Sequence, residues 1–159
     1  MSTKADYSND EWESLLRAPM MAAMAVVAAS PSGPIGVLKE MFAVGKGLLA
    51  GAEGTTNPLI AAVLADVKAG NRLATPAERP QDLAQMKAEA LSACRETAAL
   101  LARKAPAEAD GFKRWLLGTA QRAADAAKEG GVFGIGGVPV SDAEKAALGE
   151  VAGALGLKA

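Results

Sequence analysis

Four carboxylates in the last quarter of the sequence are the side chains best suited to chemistry. Asp125 and Glu129 end one alanine-rich segment, and Asp142 and Glu144 open the next. Oxygen ligands from two neighbouring helix ends can suit Ca²⁺ or Mg²⁺. A local alternative is that Glu144 completes a helix cap, Asp142 favours a helix N-terminus, and Asp125 and Glu129 are solvated. The sequence favours the local alternative and predicts no cofactor, with Ca²⁺ or Mg²⁺ at these four residues as the competing hypothesis.

Other reactive side chains are few. Histidine is absent and Cys94 is the single cysteine. Because histidine is the commonest general base and transition-metal ligand, its absence argues against hydrolase or transferase chemistry and against a zinc site. Cys94 has no partner for an internal disulfide, which fits a reducing compartment, and it is expected to be a small buried apolar residue. The sequence therefore predicts a protein that is not an enzyme.

The carboxylates flank a glycine-rich loop over residues 130–139, which contains the run GVFGIGG at 131–137. Phosphate-binding loops follow a buried strand and lead directly into a helix, and the P-loop form ends in Lys-Ser or Lys-Thr. This loop follows a predicted helix and has neither feature. We interpret it as a connector between two helices.

Composition and capping signals predict an all-α fold. Half of the residues are apolar but only 4% are aromatic, so the core must consist largely of Ala, Leu, Val and Met, which favours closely packed helices. The sequence predicts a flexible tail over residues 1–7 and a single domain over 8–159, a compact bundle of five to six helices. A similarity between the first and last quarters also raises two related helical hairpin units as an alternative to chance likeness among alanine-rich hairpins.

Local signals place the helices. Ser8 and Ser141 each precede a glutamate by three residues, the pattern of a capping box, and Asn57-Pro58 is a typical helix start. Pro19 is expected to kink or split the first helix near 17–18. The remaining predicted helices cover about 35–50, 80–104 with Leu83 on its inward stripe, and a segment capped by Asp110.

Residues 123–130 (AADAAKEG) and 140–144 (VSDAE), followed by an apolar helical stripe, resemble the tellurite-resistance TerB-like family. The similarity covers about 35 residues at the C-terminal end. It implies an all-helical fold and a divalent-cation site built from the acidic residues that match the motif, in a module of a stress-response system.

Charge and hydropathy restrict the partners. Lys and Arg number 17 against 18 Asp and Glu, and they are interspersed, so nucleic-acid binding is not expected. The longest apolar run, residues 18–29, is shorter than the roughly 20 residues that span a membrane, and no signal peptide is evident. We predict a non-catalytic cytoplasmic protein that acts through protein–protein interaction on apolar helix faces, as a homo-oligomer. The alternatives are a TerB-like cation-binding module and, third, a small-molecule or lipid pocket between helices.

Overall fold

The computed structural model describes residues 2–29, 54–70, 82–129 and 141–158, without the side chains of 126–129. Within these ranges the protein is all-α and has no strand, which confirms the predicted fold class. A short 3₁₀ turn precedes five α-helices: α1 (Asn9–Val27), α2 (Pro58–Lys68), α3 (Leu83–Lys104), α4 (Pro106–Glu129) and α5 (Asp142–Ala154). The helix predicted over 35–50 and the glycine loop over 130–139 lie outside the described residues.

Helix α1 is the central element of the bundle. It contacts each of the other four helices, and after Pro19 its side chains are buried almost all round, from Met21 to Val27. This central position agrees with the apolar run over residues 18–29. Of the two outcomes predicted for Pro19, a kink or a split, the split does not occur, since α1 runs unbroken through Pro19. Packing against neighbours on every side stabilises the helix despite the hydrogen bond that proline cannot donate.

The three predicted helix starts are confirmed. Ser8 Oγ accepts from the Glu11 amide at 3.2 Å, and Glu11 Oε2 accepts from the Ser8 amide at 2.9 Å. At the start of α2, Asn57 Oδ1 accepts from the amides of the second and third helical residues at 3.0 and 3.2 Å. Ser141 and Glu144 form the same reciprocal box at the start of α5. These caps satisfy amides that have no partner within the first turn.

The junction of α3 and α4 differs from the prediction. Only Ala105 separates the two helices, and α4 begins at Pro106 rather than after Asp110. A proline suits the first turn of a helix, because its fixed φ is helical and its missing amide has no intrahelical role there. At the other end of α3, Asp82 caps the helix by accepting from the Gln85 amide at 2.6 Å. Leu83, predicted to face inward, is 39% exposed.

Residues 2–7, predicted as a flexible tail, lie against the bundle. The Ser2 amide donates to Glu108 Oε1 at 2.8 Å, and the Lys4 ammonium binds Asp66 at 2.9 Å. Tyr7 is buried, with its ring centroid 5.7 Å from that of Trp12. The partners come from α1, α2 and α4, so no periodic pattern within the first seven residues could reveal them.

Helices α1 and α3 run antiparallel. Lys104, the last residue of α3, binds Glu11 in the first turn of α1, with 2.7 Å between Nζ and Oε2. The same ammonium donates to the Asp6 carbonyl at 3.0 Å. This arrangement sets the middle of α1 beside the middle of α3.

Candidate binding groove between α1 and α3

A partly open groove of about 290 Å³ lies between α1 and α3. Its lining combines hydroxyl groups, charged groups and two apolar side chains. The α1 wall consists of Ser14, Arg17 and Met21, and the α3 wall consists of Glu89, Ser92, Ala93, Glu96 and Thr97. Each set recurs at steps of three and four, so each lies on one face of its helix. Antiparallel packing of the two helices brings the faces together.

Thr97 is the buried polar residue of the groove. It is 1% exposed, and its hydroxyl oxygen is not one of the fully buried atoms that lack a hydrogen-bond partner among the described side chains. Thr119 in α4 is equally buried, and its hydroxyl donates to the Trp115 carbonyl at 2.9 Å. Thr97 lines the groove, and a threonine hydroxyl can both donate and accept a hydrogen bond.

The charged groups of the groove lack oppositely charged partners among the described residues. Arg17 forms no ion pair there. Glu89 Oε1 accepts from the Gln85 amide group at 3.0 Å, and Glu96 Oε1 accepts from the Ser92 hydroxyl at 3.3 Å. Both partners are neutral. The groove thus presents two carboxylates on one wall and a guanidinium on the other, and it suits a ligand that carries cationic groups with a carboxylate.

The buried thiol beside the groove wall is unsuited to nucleophilic chemistry. Cys94 lies on α3 and is completely buried. Burial raises the pKa of the Cys94 thiol to about 11, and the positive charge of Arg95 offsets only part of that rise. A thiol acts as nucleophile or metal ligand as the thiolate, which is scarce at neutral pH when the pKa is so high. The expected buried position of Cys94 is confirmed.

The described carboxylates among the candidate metal ligands each have a different environment. Asp125 is exposed and accepts from the Gln121 amide group at 3.2 Å. Glu144 is only 4% exposed, and its Oε2 accepts from both the amide and the hydroxyl of Ser141, at 2.7 and 3.0 Å. Asp142 is fully exposed, 3.9 Å from the Lys145 ammonium. The side chain of Glu129 is outside the described part. Among described side chains, no group of three or more acidic, cysteine or histidine residues is placed to hold a metal ion.

The charged and hydroxyl-bearing walls of the groove were not predicted from the sequence. The spacing of Glu89, Ser92 and Glu96 shows that they share a helix face, and such a face is ordinarily a solvated surface. What makes it a groove wall is the opposite helix, whose residues lie about 75 positions earlier in the chain. The clustered methionines of α1, Met20, Met21 and Met24, are of a residue type that fills irregular space in cores and binding grooves. Met24 is buried in the core, and Met21 is both buried and part of the groove wall.

In its described part the chain is an all-α bundle with a small polar groove between two of its helices. Comparison with protein-family models, with curated proteins and with solved structures finds no match to this chain. The resemblance to the TerB-like family therefore stays a prediction. In the part of the chain that the structure describes, no helix has the length and apolar character needed to cross a membrane.

Proposed function

We propose that this is a non-catalytic cytoplasmic protein that acts by protein–protein contact and self-associates, with the groove between α1 and α3 as the contact surface. The observation that carries the proposal is the charge pattern of the groove, in which Glu89, Glu96 and Arg17 have no oppositely charged partner among the described residues. Charged groups in this state can form ion pairs with the charges of a partner that fills the groove.

The open form of the groove and the charges at its walls favour a partner protein over an enclosed small molecule. The groove is partly open and holds about 290 Å³, near the lower end of the roughly 300–1,000 Å³ of small-molecule pockets. The charges within it are at the surface, where they can meet charges of a partner and set its orientation. Arg17 and the two glutamates supply both signs, so the groove can discriminate between partners.

The contact surface differs in character from the sequence-based expectation. Apolar helix faces were expected to make the contact, but in the described helices these faces are buried against one another. Leu83 is the one large apolar side chain that is exposed among the described residues. A polar groove whose charged groups lack oppositely charged partners among the described residues is therefore the better candidate.

The chemistry of the chain supports a non-catalytic role. The sequence has no histidine, and the thiol of Cys94 has its pKa raised by burial. Glu89 and Glu96 are two helical turns apart, roughly 10 Å along α3, and each already accepts a hydrogen bond from a neutral group. Nothing in this arrangement pairs an acid with a base across a short distance.

Sedimentation equilibrium of the full chain at micromolar concentrations tests the proposal. We expect the wild type to self-associate and Thr97→Val to associate more weakly. Because no hydrogen bond joins the Thr97 hydroxyl to a described residue, Thr97→Val should keep or raise the melting temperature. The matched control is Thr119→Val, which removes a hydroxyl that is hydrogen-bonded, and should lower the melting temperature without weakening association. A wild type that stays monomeric, or association that Thr97→Val leaves unchanged, would contradict the proposal.

A further inference from the structure

A ridge on the outer face of α4 carries charges that complement those of the groove. Arg114, Gly118 and Arg122 follow at intervals of four, so they lie along one side of the helix. Both arginines are exposed, and neither forms an ion pair with a described residue, including Asp110 one turn before Arg114. We name Arg114, Gly118 and Arg122 the α4 ridge. Resting on the self-association proposed above, we infer that the α4 ridge of a second copy docks into the groove between α1 and α3.

Spacing along the two helices supports this pairing. Glu89 and Glu96 are about 10.5 Å apart along α3, and Arg114 and Arg122 are about 12 Å apart along α4. Arginine side chains are long enough to absorb the difference, and a guanidinium can bind a carboxylate through two parallel hydrogen bonds. Each arginine of the ridge can therefore reach one glutamate of the groove.

Small residues lie between the charges on both surfaces. Ser92 and Ala93 separate the two glutamates, and Gly118 separates the two arginines. A Cβ added at Gly118 would have no atom within 4 Å, so this part of the ridge is unoccupied. Since the distance between packed helices is set by the side chains at their contact, the two backbones can approach closely there. This brings the ridge toward Thr97, which lines the groove and carries a hydroxyl that can accept a hydrogen bond.

The guanidinium of Arg17 would repel a purely basic ridge. Asp125 removes this difficulty, because it is exposed on α4 three residues after Arg122. Its present partner is the neutral Gln121 side chain. A ridge that carries two arginines and Asp125 thus complements a groove that carries two glutamates and Arg17. A basic helix of an unrelated protein lacks this combination unless it also places a carboxylate one turn beyond the second cation.

Exchange of the charges tests the interface. One variant carries Glu89→Lys with Glu96→Lys, and the other carries Arg114→Glu with Arg122→Glu. Each variant alone should self-associate about tenfold or more weakly than wild type, since attraction becomes repulsion at both pairs. An equimolar mixture should recover association, because every ridge then meets a groove of opposite charge. Arg95→Glu, on α3 but outside the groove lining, is the control and should associate like the wild type.

Sedimentation equilibrium measures the wild type, the two charge variants, their mixture and the Arg95→Glu control, with melting temperatures to verify folding. Recovery in the mixture supports the docking of the ridge into the groove. If the wild type self-associates but either variant does so equally well, or the mixture does not recover, the ridge is not the occupant, although self-association stands. If the wild type is monomeric, self-association itself fails. If the wild type binds a different basic protein but does not self-associate, the inference is also overturned.

Discussion

Asn57 joins two helices, and its removal should have a measurable and non-additive effect. Its Oδ1 caps α2 by accepting from the amides of Leu59 and Ile60, and its Nδ2 donates to the Glu108 carbonyl of α4 at 3.0 Å. Loss of an N-cap destabilises by about 1 kcal/mol, and loss of a neutral hydrogen bond by about 1 kcal/mol. Asn57→Ala should therefore lower the free energy of unfolding by about 2 kcal/mol.

Gly111 lies against the same amide group. A Cβ at Gly111 would be 2.7 Å from Asn57 Nδ2, so Gly111→Ala must displace the asparagine side chain. Alanine is better than glycine within a helix by about 1 kcal/mol, and the displaced contacts cost about 2 kcal/mol. The single variant should be destabilised by about 1 kcal/mol in total. With Asn57 already changed to alanine, Gly111→Ala should instead stabilise by about 1 kcal/mol, because only the helix preference remains.

Urea unfolding of the four proteins in this cycle gives the coupling energy directly. We expect about 2 kcal/mol of coupling, a difference worth several degrees in melting temperature for a chain of this length. Gly149→Ala in α5 is the control, since a Cβ there would meet no atom within 4 Å. It should stabilise equally in both backgrounds. Additive effects at Asn57 and Gly111, or stabilisation by Gly111→Ala alone, would show that the hydrogen bond from Asn57 to α4 contributes nothing to the free energy of unfolding.

Three further predictions concern titratable groups. Because burial raises its pKa to about 11, Cys94 should react with thiol reagents at pH 8 only as fast as the protein opens, and a rapid stoichiometric reaction in the native state would contradict this. The Lys104 hydrogen bond, and then the Ser8 amide, lower the pKa of Glu11. This stabilisation is present above the unfolded pKa and is lost as pH falls through the folded pKa, so urea titrations should show a smaller acid loss in Glu11→Gln than in wild type. Because Glu144 is hydrogen-bonded within its helix cap, addition of Ca²⁺ or Mg²⁺ should produce neither calorimetric heat nor a shift in melting temperature. Saturable heat that Asp142→Asn abolishes would instead support the predicted cation site.

Local chemistry made the helix starts readable from the sequence. A capping oxygen and the amide it accepts from are two or three residues apart, so Ser8, Asn57 and Ser141 act the same way in any fold that keeps the helix. The apolar composition of α1 is also readable from the sequence, and it fits the central position of this helix in the described bundle. Where two local rules competed, the prediction was wrong: Asp110 resembles a cap, but Pro106 is equally suited to begin a helix and does so.

Only the tertiary structure decided which faces meet. Glu89 and Glu96 have the pattern of a solvated surface, and they become groove walls because α3 packs antiparallel to α1. Thr97 and Thr119 are the same residue type on two helices, yet Thr97 lines the groove, whereas the Thr119 hydroxyl donates to the Trp115 carbonyl of its own helix. Residues 2–7 lie against the bundle through Asp66 and Glu108, which are distant in the chain. Capping depends on residues that are neighbours along the backbone, so short sequence patterns predict it. The groove depends on contacts between segments about 75 residues apart, which no local pattern predicts.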